Sequence, residues 1–418
     1  MADSDVARWA ASGAMALTGR PDGPPLVTPA GVVNAAVSTA QSVATATGRF
    51  GTVVHLDGPA LLGERAALAG MERQGSVSVG GAARFERAAD GWIVLNLPRH
   101  DDIAALPALL EADIDPQDWC GVSERIALRS TADLVDRGRL LGVAIARPDE
   151  RRRVDGPGRV LLDGPARSVN VRPLVIDLTS LWAGPLAGSI LAAAGARVIK
   201  IEGRNRPDGA RLGPASFFDL MNSGKEMLAL DLRDRADVRL LQRLIGAADL
   251  VIEGSRPRAM EQIGIEPAQV VTDAATSWLS ITGHGRVEAP ERVGFGDDAA
   301  VAGGIWVEEP DGPLFVADAV ADPLTGLVAG ALGAELLAAD RAALVETPLS
   351  QVAAWARRPN VTAPVRATPD RRWHVVAPEG VVAVSPPSLT SRVPSLSARS
   401  MRTDPHCARS SPRVRRHG

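Results

Sequence analysis

Few residues in this chain have both the type and the spacing to do chemistry. Only Lys200 and Lys225 are lysines among 46 basic residues; the rest are arginines. Six histidines are scattered, and Cys120 and Cys407 stand far apart, so no metal-ligand spacing is present. A nicotinamide dehydrogenase needs Gly-x-Gly-x-x-Gly after its first strand, and the matching stretch reads TSLWAGPLAG. No Gly-x-Ser-x-Gly elbow offers a hydrolase serine. Asp322, in AVADPLTGL (319–327), is a carboxylate entering a helix. Taken alone it reads as a helix N-cap, with Pro323 at the first helical position. His284 reads as a loop residue, and Lys225 equally as a solvated charge at a strand start.

The elements that would position these residues are clearest after residue 172. Leu174–Leu178, Arg197–Glu202, Met227–Leu232, Leu250–Glu253 and Trp278–Thr282 read as strands. Gly184–Ala194 and Ala236–Ala247 read as helices between them. Alternation of this kind predicts an α/β fold with a Rossmann-like doubly wound parallel sheet. Ligands of such sheets sit beyond the carboxyl ends of the strands. Earlier, Phe85–Leu97 reads as a hairpin turning at Asp90-Gly91, followed by helices at Ile103–Glu111 and Thr131–Leu140. This predicts a smaller α+β domain at 75–146. Residues 147–171, rich in Arg, Asp, Gly and Pro, read as a linker.

Composition excludes several classes. A net charge of −3 disfavours binding to a phosphate backbone, and 3% aromatic residues with no tyrosine disfavour stacking on single strands, so no nucleic-acid partner is expected. Two cysteines fit a reducing cytoplasm rather than a disulfide scaffold. No signal-peptide h-region follows the N-terminus. The uncharged run Leu178–Ala196 reaches membrane-spanning length, but Pro185 and its glycines mark it as a buried α/β segment, so no membrane partner is expected. Residues 388–418 hold seven Arg against one Asp and have no apolar period, which reads as a disordered basic tail.

Two stretches resemble one another. AASGAMALTGRPDGPPLVTPAGVVNAAV (10–37) and AVAGGIWVEEPDGPLFVADAVADPLTGL (300–327) both run from small residues through Asp-Gly-Pro to a strand and a helix. With one gap, Asn34 falls opposite Asp322.

The run VIDLTSLWAGPLAGSILAAAGARVIKIE (175–202) resembles the opening of class III CoA-transferases, a family that includes the α-methylacyl-CoA racemases. The resemblance continues through Asn222-Ser223-Gly224-Lys225, Leu228–Leu232 and Ala248–Glu253 with Pro257. GGAARFERAADGWIVLNL (80–97) and residues 129–148 resemble the second half of the same family. The chain therefore reads as permuted: 1–146 resembles the second half, 172–387 resembles the first, CoA-binding half, and the shared middle is duplicated.

The resemblance implies a transferase that moves CoA between an acyl-CoA and a small carboxylic acid, with CoA as co-substrate, no tightly bound cofactor, and a homodimer. It implies Asp322 as the nucleophile, attacking the thioester in two easier steps instead of one hard one. Asn34 cannot serve in the duplicate. Lys200, Arg204 and Lys225 would meet the CoA phosphates, with the Ala183-Gly184-Pro185 loop close by. Gly80 and Gly81 read as a remnant glycine loop over the site, or as an ordinary turn. Trp182 replaces a Gln, and Phe295-Gly296 replaces a Tyr-acid pair, which separates this chain from oxalate- or formate-type members. Two alternatives stay open: a racemase, and a degenerate homologue that binds CoA or a partner without turnover.

Overall fold

The computed structural model describes residues 4–390, apart from 28, 30, 151, 152, 360, 370 and 371. The predicted basic tail lies outside the described residues beyond Thr390.

The N-terminal part begins with α1 (Asp5–Ala11), α2 (Val32–Thr47), α3 (Gly58–Leu61) and α4 (Glu64–Ala69). Val32, Val33, Ala36, Ala40 and Val43 recur at helical spacing, so α2 has one buried stripe. Next come β1 (Ala83–Arg87) and β2 (Trp92–Asn96), the expected hairpin. The expected helix over Ile103–Glu111 is two short helices, α5 (His100–Ala104) and α6 (Leu106–Leu110). Pro107 at the start of α6 lacks the N–H that would continue α5, so the chain breaks at Ala105. Helices α7 (Trp119–Ala127) and α8 (Thr131–Leu141) lead into β3 (Ala144–Ala146), and β1–β3 form an antiparallel sheet with its own apolar core.

The region read as a linker contains a strand, β4 (Arg159–Ala166). It pairs antiparallel with a later strand at the edge of the main sheet, where its half-exposed pattern hides it from a periodicity reading. The doubly wound unit follows: β5 (Leu174–Leu178), α9 (Ala183–Ala193), β6 (Arg197–Gly203), α10 (Ala215–Asn222), β7 (Glu226–Leu230), α11 (Arg235–Gly246), β8 (Leu250–Glu253), α12 (Pro257–Glu261), α13 (Pro267–Ala274) and β9 (Ser277–Ser280). Then come α14 (Gly296–Ala302), the hairpin β10 (Val307–Glu309) and β11 (Gly312–Leu314), α15 (Ala321–Ala338), β12 (Arg341–Glu346) and α16 (Leu349–Ala356). A small sheet, β13 (Val365–Ala367), β14 (Trp373–Ala377) and β15 (Gly380–Ala383), packs on α1.

The main sheet has the order β4-β12-β9-β8-β5-β6-β7, parallel except for β4. From β5 the chain winds outward to β7, then crosses back to β8. The switch point therefore lies beyond the carboxyl ends of β5 and β8, beside residues 179–184.

Apart from Asp322 and Glu335, helix α15 carries no charge, and it is buried nearly all round. Gly326 and Gly330 let α9 approach closely, because a Cβ at either would run into Leu186 or Ile190. Helix α2 covers another face of α15. The largest core accordingly joins Val6–Leu62 side chains with others from Val175 to Ala377. The two similar stretches also share an order of elements: helix, Asp-Gly-Pro turn, long helix, extended segment, short helix.

Candidate active site

The turn that precedes α15 carries two non-glycine residues in the left-handed region, Ala317 (φ 52°) and Ala319 (φ 44°). Such conformations cost free energy and persist only where neighbours enforce them. Here Thr18 Oγ1 accepts the Ala317 N–H (3.0 Å) and Asp297 Oδ1 accepts the Ala319 N–H (3.2 Å). The turn delivers Asp318 and Asp322 to one place.

Asp322 is not the N-cap of α15. The helix begins at Ala321, so Asp322 stands at its second position, and Val320 precedes it with no capping side chain. The Asp322 carboxylate packs against Gly296 instead, whose backbone N–H favours its charged form. Asp297, Asp298 and Asp318 around it are all buried, whereas Asp322 keeps partial exposure. Burial pushes Asp322 up to about 7; Asp298 and Asp318 add to the rise and Arg65 opposes it. Asp297 is also pushed up to about 7, by burial first and Asp318 next.

Arg65 on α4 is the neighbouring cation, and sequence reading missed it. It lies in the other part of the chain, and no local pattern marks it. Its Nε donates to Asp318 Oδ2 (2.8 Å), and its Nη2 to the other Asp318 oxygen. Burial works against its charge, but Asp318 beside it more than compensates and raises its pKa. The guanidinium lies 5.0 Å from the Trp182 ring centroid, and Trp182 meets Phe217 edge-on. Trp182 thus forms a wall against Arg65.

On the far side of Asp298, Asn96 Nδ2 and the Phe295 N–H both donate to Oδ1 at 2.8 Å. His284 Nε2 stands 3.6 Å from Oδ2. His284 is a loop residue, as expected, but a buried one, and burial lowers its pKa despite the pull of Asp298.

The predicted binding residues are placed differently from expectation. Ala183, Gly184 and Pro185 are not a loop but the buried first turn of α9. A Cβ at Gly184 would collide with the Thr179 side chain, and one at Gly188 with Asp177 and Lys225. The glycines of this motif let α9 sit on the end of β5. Leu181, just before it, is left-handed (φ 71°) and held by Asp208.

Lys200 and Lys225 do not face solvent, contrary to a phosphate-binding role. Lys200 Nζ lies 2.9 Å from Asp208 and donates to the Thr179 carbonyl (2.7 Å). Lys225 Nζ lies 2.8 Å from Asp177 and also donates to the Pro185 carbonyl and Asn222. Burial outweighs Asp177 and lowers the Lys225 pKa. Both ammonium groups brace the switch-point loop from inside. Arg204 does face solvent, with Nη2 3.4 Å from Asp237. Gly80 and Gly81 are exposed, with Gly81 at φ 78°, and Gly80 lies beside Arg65.

Residues 173–387 match the model of CoA-transferase family III. Acetyl-CoA:oxalate CoA-transferase of Acetobacter aceti is 38% identical over 97 residues, which are 22% of this chain and 25% of that protein. Succinate–glutarate CoA-transferase of Agrobacterium fabrum is 34% identical over 172 residues, 37% of this chain and 43% of the relative. The human succinyl-CoA:glutarate CoA-transferase is 30% identical over 201 residues, 44% and 46% of the two chains. The chain spans less than half the length of each of these relatives. From the match across half of its residues, the chain belongs to CoA-transferase family III.

Proposed function

We propose that this protein transfers CoA from an acyl-CoA to a carboxylic acid through a covalent intermediate on Asp322. The observation that carries the reading is the contrast at the site: three buried carboxylates surround one that keeps an open face. An Asp322 oxygen attacks the thioester carbonyl carbon, the C–S bond breaks, and CoA thiolate leaves a mixed anhydride. The thiolate then attacks the Asp322 carbonyl, forming an aspartyl thioester and releasing the donor acid. The acceptor carboxylate attacks that thioester and expels the thiolate, giving a second anhydride. Attack of the thiolate on the acceptor's acyl carbon yields the new thioester and restores Asp322.

The Gly296 N–H at Asp322 holds the nucleophile during these exchanges. Arg204 is proposed to meet a CoA phosphate from the crevice side, while Lys200, Lys225 and the Ala183–Pro185 turn shape the crevice without touching the cofactor. The permuted order of two family halves, a homodimer and a cytoplasmic setting belong to the same proposal. The repeated element order and the shared core support the first of these.

Hydroxylamine trapping tests the reading. An acyl-CoA should label Asp322 in the wild type and leave Asp322→Ala unlabelled, as read by mass spectrometry of the intact protein. Exchange of the acyl α-proton into deuterated water without transfer would identify a racemase instead. CoA binding with neither reaction would identify a binding protein.

A further inference from the structure

We propose that Arg65 binds the carboxylate of the acid that accepts CoA, through the guanidinium nitrogen Nη1. The inference rests on Asp322 as the nucleophile.

Three features point to Arg65. Its fork is half used: Nε and Nη2 are engaged by Asp318, and Nη1 has no partner among the described residues. The Arg65 side chain keeps 26% exposure, while Asp318 keeps none. One face of the guanidinium lies over Trp182, so the group is fixed with an edge outward.

The charge balance makes a cation necessary. Asp297, Asp298, Asp318 and Asp322 are clustered, and an acceptor acid arrives as an anion at neutral pH. Asp322 is uncharged as the thioester, but the carboxylates of Asp297, Asp298 and Asp318 beside it still repel an incoming anion unless a positive group lies on its path. The charge that acts most strongly on Asp322 is that of Arg65. A single free guanidinium nitrogen suits one carboxylate oxygen and leaves the other to attack the aspartyl thioester.

Gly80 and Gly81 complete the opening. Both are exposed, and a Cβ at Gly80 would stand 3.0 Å from Arg65 Nη2. A larger side chain there would cover the guanidinium from outside. The missing side chains keep the approach clear.

The test uses succinyl-CoA as donor and glutarate as acceptor, with two variants of the full chain. Arg65→Lys keeps a positive partner for Asp318 but loses the second nitrogen. Gly80→Val keeps the Arg65 side chain itself and sets a bulky group over its outer side. In both variants transfer to glutarate should fall further than acyl trapping at Asp322, with the KM for glutarate rising about tenfold or more (~1.4 kcal/mol). An unchanged glutarate KM, or an equal fall in trapping and transfer, would overturn the proposal and leave Arg65 as framework. If the wild type forms no adduct, the nucleophile reading fails by itself. Calorimetry of glutarate binding then decides on Arg65: weaker binding in Gly80→Val supports it, and equal or absent binding overturns it.

Discussion

The Asp322 carboxylate occupies the space beside Gly296 where any side chain would stand, with the Gly296 N–H favouring its charged form. This contact joins the first turn of α14 to the first turn of α15. A methyl group at 296 would run into Asp322 Oδ2 and the Ala319 carbonyl. Gly296→Ala should lose on the order of 1–3 kcal/mol of stability from overpacking. It should also slow acyl trapping by at least about tenfold, because the donor no longer reaches the carboxylate. Thermal melting and trapping rates, measured together, check both. Undiminished trapping in a folded variant would show that this contact does not position the nucleophile.

The raised pKa values give two pH dependences of opposite use. Asp322 attacks only as the carboxylate, so the trapping rate should rise with pH through about 7 and then level off. Stability should move the other way. Asp297 and Asp322 bind their protons more tightly folded than unfolded, where an Asp titrates near ~3.9. Their protonated forms therefore favour the folded state, and stability falls as pH rises from about 4 through about 7. Asp297→Asn removes the buried charge. It should be more stable than wild type at pH 8, on the order of 1–3 kcal/mol, and no more stable at pH 4. Denaturant titrations at the two pH values settle the sign.

Lys225 and Arg204 should separate cleanly in two assays. Lys225→Met leaves Asp177 charged, buried and unpaired, a loss of about 3–5 kcal/mol. Adding Asp177→Asn should recover part of it, since the two sites share one interaction. Arg204→Ala should change stability by less than about 0.5 kcal/mol. Its CoA dissociation constant should rise severalfold, with the difference shrinking as salt is added. An Arg204→Ala variant that binds CoA normally would remove Arg204 from the binding surface.

How much of this was legible follows from range. The strands of the parallel unit are continuous apolar runs, and the small-residue motif that opens α9 is local, so both could be read from spacing. Asp322 was legible only through its motif; its position inside α15 depends on where the preceding turn goes left-handed. The lysines misled because scarcity suggests function, while burial of an ammonium is decided by a carboxylate that only the fold brings to it, Asp208 for Lys200 and Asp177 for Lys225. Arg65 was invisible for the same reason: its partner Asp318 is 253 residues away. Strand β4 escaped because an edge strand with exposed faces has no strict alternation.

The shared core implies that neither part of the chain folds alone. Helix α2 covers α15, and Gly51 packs against the Ala194 carbonyl with no room for a side chain. The connection near Arg153 and Asp155 is exposed and tolerates a cut. A protease site inserted after Arg153 should therefore allow complete cleavage while the two pieces co-purify and acyl trapping persists. Residues 1–153 and 154–418 expressed separately should be insoluble or unfolded, because α15 alone would expose an apolar face that α2 normally covers. Co-expression should restore a soluble pair. Independent, cooperative folding of the 154–418 piece would contradict the assembly of one core from both parts, and with it the support for the proposed permuted order.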